Sequence, residues 1–371
     1  MNQQQWFSLV HTASRLAAAL LFPAIALVAA NAAAQTYRLV DLATLSQGTS
    51  VVVRGPNSSG VAVGGGKVVG VASPAGARPG LLFESGVGPR QIAGLAGSDY
   101  TNVLGVNDAG GFVGSSNTTT AVRAFAATPS GAVRELPALA GDTASIAYAL
   151  NNLGQAVGYS AGPGGERAVI WTASGTPTAL PGSAPSSRAF GVNERGDVTG
   201  VTGTGASRRA VLWPGGSAAQ ELSLLAGHIM SEAFGINGRG DVVGYSANAA
   251  GTRRATFWPA GGAVVDLGAL PGGVFSQAFG INDAGSVVGT ATSSAGDRAF
   301  LWSRSGGLQD LNSLIGPSAF VLLRAVGINN LGMIVATGRE AVPEGAGDGH
   351  AHEAHEQPIR VFLLVRQGGP Q

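Results

Sequence analysis

The chain has 371 residues, of which 45% are hydrophobic, 12% are charged and 59 are glycine, and it contains no cysteine. The lack of cysteine excludes a disulfide framework and thiol chemistry, and a net charge of +1 provides no basic footprint for a nucleic acid. Such a composition is typical of short apolar strands joined by many turns, not of long amphipathic helices.

The N-terminal segment 1–34 has the pattern of a signal peptide. Arg15 precedes the apolar run Leu16–Ala30, small residues follow it, and cleavage is expected after Ala34. A membrane anchor is the alternative, but 15 apolar residues interrupted by Pro23 are fewer than the roughly 20 that span a bilayer. We therefore expect a secreted or periplasmic protein, with no transmembrane helix in the mature chain.

Seven copies of the pattern Gly-x-Asn-x-x-Gly follow, with Ala149 in place of the first glycine of the third copy. Their asparagines are Asn57, Asn107, Asn151, Asn193, Asn237, Asn282 and Asn329. The spacings between them, 42 to 50 residues, indicate a repeat architecture.

The sixth copy shows the signals within one repeat. Four apolar or β-branched runs, Ala278–Asn282, Ser286–Ala291, Arg298–Trp302 and Leu308–Leu314, are separated by clusters of Gly, Asn, Asp and Ser. This pattern predicts four antiparallel strands per repeat. Asn and Gly are expected in the first turn because both tolerate a positive φ at little cost.

The seventh copy lacks a fourth run after Arg360–Val365. The segment Tyr37–Leu45 resembles the fourth runs of other copies, and its Asp41 precedes Asn57 by 16 residues, the interval also found from Glu135 to Asn151. We predict that this strand closes a ring, because closure removes open sheet edges. The expected fold is all-β, a seven-bladed β-propeller of four-stranded blades in a single domain, 35–371; a β-solenoid or a pair of β domains is the alternative.

An arginine marks the third run of every copy, and a tryptophan follows four positions later in copies three to six. The arginines are Arg78, Arg123, Arg167, Arg209, Arg254, Arg298 and Arg360. We interpret them as partners of an Asp or Glu on the neighbouring strand, or of backbone carbonyls, and we expect the tryptophans to pack between sheets. The alternative is a ring of guanidiniums that attracts carboxylates or sulfated glycans.

Two short motifs resemble catalytic or phosphate-binding loops. Gly158–Gly162 matches the G-x-S-x-G nucleophile pattern around Ser160, but that motif requires a strand-to-helix turn with histidine and acidic partners. Gly64–Gly70 resembles a P-loop only in composition, because Val68 follows Lys67 where Ser or Thr is needed. Neither motif predicts a site, and no catalytic residue is identified.

An insertion, residues 338–359, lengthens the seventh copy. It holds His350, His352 and His355 beside acidic residues, and short His-rich tracts can bind transition metals weakly. A solvated polar loop is the commoner explanation for such a segment. No other cofactor is expected.

The repeats, with their "AFGIN", "VVG" and "RAFLW" words, resemble the HAF-repeat family of extracellular bacterial proteins over nearly the whole mature chain. The resemblance implies export and transfers no activity. We expect a monomeric binding or scaffolding module for an extracellular or envelope ligand, protein or glycan. The alternatives are a propeller-type hydrolase or lyase acting on extracellular glycan, and a passive surface or matrix protein.

Overall fold

The computed structural model describes residues 36–45, 52–65, 78–118, 120–182, 186–341 and 357–367. The strands of these residues form seven four-stranded sheets, each containing one copy of the repeat. The prediction of a seven-bladed β-propeller with four-stranded antiparallel blades is confirmed. Among the described residues, no helix is long and apolar enough to cross a membrane.

Blades 1 to 4 follow one another along the chain. Blade 1 consists of β2 (Val52–Arg54), β3 (Ala62–Gly65), β4 (Gly80–Glu84) and β5 (Gly88–Ile92). Blade 2 consists of β6 (Tyr100–Val106), β7 (Phe112–Asn117), β8 (Val122–Ala127) and β9 (Val133–Leu136). Blade 3 consists of β10 (Ala144–Leu150), β11 (Ala156–Gly162), β12 (Gly165–Trp171) and β13 (Pro177–Ala179). Blade 4 consists of β14 (Ser187–Val192), β15 (Val198–Thr202), β16 (Arg209–Trp213) and β17 (Gln220–Glu221).

Blades 5 to 7 complete the ring. Blade 5 consists of β18 (Met230–Ile236), β19 (Val242–Ala247), β20 (Arg253–Trp258) and β21 (Val265–Asp266). Blade 6 consists of β22 (Ser276–Ile281), β23 (Val287–Ser293), β24 (Gly296–Ser303) and β25 (Gly307–Asp310). Blade 7 consists of β26 (Phe320–Ile328), β27 (Ile334–Glu340), β28 (Arg360–Gln367) and β1 (Thr36–Thr44).

The N-terminal strand β1 is the outermost strand of blade 7, next to β28. The backbone amide of Leu45 donates to the carbonyl oxygen of Ile359 at 2.8 Å, and Tyr37 and Leu42 are buried in the cores on the two sides of the blade. The prediction that this segment is the displaced fourth strand is confirmed. The ring is thereby closed by a strand from the opposite end of the chain.

The repeated asparagines form a closed hydrogen-bonded ring. The Nδ2 group of each one donates to the backbone carbonyl oxygen of the asparagine in the next blade, at 2.8 to 3.1 Å, and the seventh bond joins Asn329 to Asn57. Each Oδ1 atom accepts from the amide four residues later and so caps the turn of its own blade. All seven side chains are buried.

This ring corrects the expected role of asparagine in the first turn. Ser186 is the one non-glycine residue with a positive φ within the described ranges, so the asparagines do not adopt that conformation. The glycine three residues after each asparagine does adopt it, as Gly240 shows with φ of 90°. The asparagine is instead required for its amide group, which serves two blades at once.

The core lies between neighbouring blades, as expected for the tryptophans. Trp171 of β12 packs against Val113 and Leu136 of blade 2, and its indole nitrogen donates to the carbonyl of Pro137 at 2.8 Å. Trp213 repeats this arrangement one blade further with Pro181. Each indole therefore fills the gap between two sheets and satisfies its own polar atom.

The fourth strand of blade 6 is shorter than predicted. It ends at Asp310, and Leu311–Leu314 forms a 3₁₀ turn. The Asp310 side chain accepts from the amide of Asn312 and thus caps this turn. Leu311 and Leu314 point into the core from the turn.

Candidate functional site

A β-bulge on the innermost strand of six blades sets the chemistry of the central channel. In β18 the pairing with β19 passes from Ala233 to Gly235, which leaves Phe234 without a partner. In five other blades the pairing skips one residue in the same way, which leaves these residues without a partner: Leu104, Tyr148, Phe190, Phe279 and Val326. Bulges of this kind redirect a side chain out of the regular pleat, and all these residues line the channel.

The glycine of each "VVG" word makes room for the bulge. A Cβ on Gly244 would overlap the carbonyl oxygen of Glu232 on the bulged strand, and one on Gly200 would overlap that of Arg188. In five blades the glycine that precedes the ring asparagine by two residues makes room for the backbone of the neighbouring blade: Gly105, Gly191, Gly235, Gly280 and Gly327. A Cβ on Gly191 would lie 2.8 Å from the carbonyl oxygen of Phe234.

The innermost strands of all seven blades enclose a cavity of about 430 Å³. Its lining reaches the residues that directly precede the asparagine ring, for example Val192 and Ile236. The volume lies within the range of about 300–1,000 Å³ that is typical of small-molecule sites. The cavity therefore has the size and position of a binding site.

Four aromatic side chains from blades 3 to 6 form an arc on one side of this cavity. The ring centroids of Tyr148 and Phe190 are 5.3 Å apart, those of Phe190 and Phe234 are 5.4 Å apart, and those of Phe234 and Phe279 are 6.0 Å apart. These distances suit edge-to-face and tilted contacts. We call Tyr148, Phe190, Phe234 and Phe279 the aromatic arc.

Two arginines from the adjacent blades 1 and 7 also line the cavity. Arg54 takes the place that a bulged residue has in other blades, and Arg324 stacks on Phe279 with its guanidinium carbon 3.8 Å from the ring centroid. Burial lowers the pKa of Arg54. Desolvation, followed by the nearby charge of Arg54, lowers the pKa of Arg324 to about 10.

Two arginines of blade 4, by contrast, are paired. Arg188 donates two hydrogen bonds to Glu166, at 2.6 and 2.7 Å, and Arg208 binds Glu232 in the next blade. The hydrogen bond to Glu166 is the largest cause that raises the pKa of Arg188. These two ion pairs border a second cavity of about 370 Å³, and both carboxylates are held by arginine.

The predicted pairing of the third-strand arginines with a carboxylate of the neighbouring strand or with backbone carbonyls is confirmed for five of the seven, all except Arg78 and Arg167. Arg123, Arg254 and Arg298 form ion pairs with Glu135, Asp266 and Asp310 on the neighbouring strand, and Arg360 pairs with Asp41 of β1. Arg209 donates to backbone carbonyls, and Arg167 binds Asp142 in the loop before its blade. Arg78 instead lies over the ring of Tyr100, with the guanidinium carbon 5.8 Å from the centroid.

The G-x-S-x-G motif and the histidine-rich insertion were the remaining candidates for a catalytic or metal site. Ser160 lies inside β11, is fully buried and donates to Asp142 at 2.6 Å, so it does not occupy a nucleophile elbow. His350, His352 and His355 lie outside the described residues, and metal binding there stays a prediction. Within the described part of the chain, no group of three His, Asp or Glu residues could hold a metal ion.

Arg54 and Arg324 were not identified from the sequence, although a signal exists. The column three residues before each ring asparagine holds Leu, Tyr, Phe or Val in six copies and Arg54 in the first. Arg324 stands five residues before Asn329, in a column that varies between copies. Neither column can be assigned to the channel without the bulge, which the sequence does not reveal.

Comparison with known families and with curated proteins found no match. The β-propeller domain of the trilobed protease from Pyrococcus furiosus, which has an open velcro topology, matches with a TM-score of 0.54 at 8% identity over 86% of this chain and 94% of that one. TolB from Acinetobacter baumannii matches with a TM-score of 0.45 at 12% identity over 66% of this chain. The match spans 62% of that TolB chain. At 8% identity the likeness to the protease propeller establishes the fold alone.

Proposed function

We propose that this protein is an exported binding module that receives its ligand in the central cavity. The observation that carries the proposal is the aromatic arc, which leaves four large apolar side chains half-buried around a cavity of about 430 Å³. Half-buried aromatic rings around a cavity are characteristic of ligand sites. The blades themselves act as a rigid frame that holds these rings.

Export is the second part of the proposal. The segment 1–34 has the charge and apolar pattern of a signal peptide, and the resemblance to HAF repeats agrees with it. Expression of the full chain in a bacterial host should yield a periplasmic or secreted form that begins at Gln35. Intact-mass measurement of that form tests cleavage, and a species that retains residues 1–34 would contradict it.

A thermal-shift screen of the purified protein tests ligand binding in the cavity. The panel should contain small organic acids, their neutral analogues, oligosaccharides and short peptides, because a ligand that binds the folded state raises the melting temperature. Phe234→Leu removes one member of the aromatic arc and should weaken binding of a hit by about 2- to 10-fold.

Phe320→Leu is the matched control. Phe320 packs on Phe362 in blade 7, with ring centroids 5.1 Å apart, and does not line the cavity. The control should bind the hit as the parent protein does. Equal losses in both variants, or no hit anywhere in the panel, would overturn the proposed cavity site.

A further inference from the structure

The two channel arginines carry charge without a carboxylate partner. Among the described residues, neither Arg54 nor Arg324 forms an ion pair, and the guanidinium of Arg54 donates to the carbonyl of Val53 at 3.0 Å. Asp297 lines an outer cavity of about 560 Å³ beside Arg324 but forms no ion pair with it. This arrangement contrasts with Arg188 and Arg208 of blade 4, which are both paired.

The proximity of the two charges is unfavourable in the absence of an anion. Each guanidinium remains protonated at neutral pH, and both are partly removed from water, where like charges repel more strongly than in bulk solvent. Substitution of buried charged residues by apolar residues of similar volume is often neutral or stabilising. The presence of the two arginines in the cavity therefore favours a role in binding an anion.

The side chains beside the two arginines indicate the chemistry of the uncharged part of the ligand. Burial, followed by the charge of Tyr159, raises the pKa of Tyr148 to about 12, so its hydroxyl is neutral at pH 7 and can donate a hydrogen bond. Arg324 covers one face of Phe279, and the rings of Phe234 and Phe190 continue from there. A flat apolar group can pack along this surface while its charge stays beside the arginines.

We propose that Arg54 and Arg324 bind the carboxylate of a small aromatic acid whose ring packs along the aromatic arc. The assignment rests on the proposed cavity function and names its ligand class. A carboxylate can accept two hydrogen bonds from one guanidinium in a planar fork, while the second arginine adds charge.

Matched ligand pairs test this inference. Benzoate, phenylacetate and 3-phenylpropionate should each be titrated calorimetrically at pH 7 beside the corresponding uncharged amide, with acetate as the acid that lacks a ring. We expect at least one aromatic acid to bind about 10- to 100-fold more tightly than its amide. Acetate should bind more weakly than that acid, because it makes no contact with the aromatic arc.

One variant with its matched control tests the role of Arg324. Arg324→Met should weaken binding of the acid by about 10- to 100-fold, leave binding of the amide unchanged, and leave the melting temperature of the free protein equal or higher. Arg304→Met is the control, because Arg304 is an exposed residue of the turn that follows β24 and lies outside the cavity.

The outcomes separate this inference from the function on which it rests. Equal affinity for acid and amide, both sensitive to Phe234→Leu, would overturn the anion site and keep the cavity as a binding site. A lower melting temperature of Arg324→Met, with unchanged acid binding, would assign the arginine a structural role and would also overturn the anion site. Failure of every acid and amide together with silence of the wider panel would overturn both.

Discussion

Each ring asparagine satisfies polar groups in two blades with one side chain. Asn151 donates from Nδ2 to the carbonyl of Asn193 at 3.0 Å, and its Oδ1 accepts from the amide of Gln155 at 3.0 Å. The adjacent Asn152 is exposed and forms an outer set of bonds, accepting from the amide of Asp108 at 2.8 Å. The side chains of these two neighbouring asparagines thus both bond the backbone of an adjacent blade, one buried and one exposed to solvent.

Replacement of these two asparagines should have unequal effects. Asn151→Ala leaves the turn amide of Gln155 without its partner and removes one of the two donors to the buried carbonyl of Asn193, which still accepts from the amide of Gly196. We expect a loss of about 1–3 kcal/mol in the free energy of unfolding. Asn152→Ala should cost less than about 1 kcal/mol, because water can replace its bonds. Urea denaturation of both variants measures the difference, and equal losses would argue against a structural ring.

The buried carboxylate of Asp241 should make the free energy of unfolding fall at acidic pH. Burial alone would raise its pKa, but hydrogen bonds from the amide of Ala260, the side chain of Asn237 and Arg239 outweigh burial and hold the pKa below its usual value of 3.8. A lowered pKa stabilises the folded state above the unfolded value, and this contribution is lost as the pH falls through the folded value.

Asp241→Asn should therefore lower the free energy of unfolding at pH 7 and reduce its decline below about pH 4. Urea unfolding at pH 7 and pH 3 provides the comparison. Asp99→Asn is the control, because Asp99 is exposed, and it should behave as the parent protein at both pH values. A decline as steep in Asp241→Asn as in the parent would rule out this carboxylate as the source.

At the scale of elements, buried side chains on both faces of β1 hold it in blade 7. Tyr37 and Leu42 are 2% and 6% exposed, whereas Thr36 and Arg38 on the same strand are exposed. Exchange of the two buried residues for serine should destabilise the protein by about 2–5 kcal/mol per site. Thr36→Ser together with Arg38→Ser is the control and should change stability little.

Thermal denaturation and light scattering report this experiment. Loss of the buried contacts should expose the edge of β28, and an exposed edge promotes aggregation. If both double variants melt and scatter alike, β1 does not close the ring through Tyr37 and Leu42.

The strands could be predicted from the sequence because each repeat alternates short apolar runs with turn residues. The closing strand was predictable for the same reason, since Asp41 keeps the interval of a fourth strand. The channel was not predictable. Whether Phe234 faces the core or the cavity depends on one skipped pairing opposite Gly244, and a one-residue shift reverses the face of every side chain.

At the scale of the whole molecule, the closed ring should couple the blades during unfolding. The ring bonds and the tryptophans between sheets join each blade to both neighbours, so no blade has a free face. Tryptophan fluorescence, which reports on blades 3 to 6, and far-UV circular dichroism, which reports on all strands, should give coincident urea transitions. An open array would instead lose its terminal repeats first, and separated transitions would contradict closure.

The bulged residues of the channel wall can change in residue type more readily than residues elsewhere in the strands. Because Phe234 and its counterparts take no part in strand pairing, their identity can change without a cost in backbone hydrogen bonds. Six positions, one in each bulged blade, can thus be varied independently: Leu104, Tyr148, Phe190, Phe234, Phe279 and Val326. A library of side chains at these positions on one invariant frame would convert the scaffold into receptors for different small molecules.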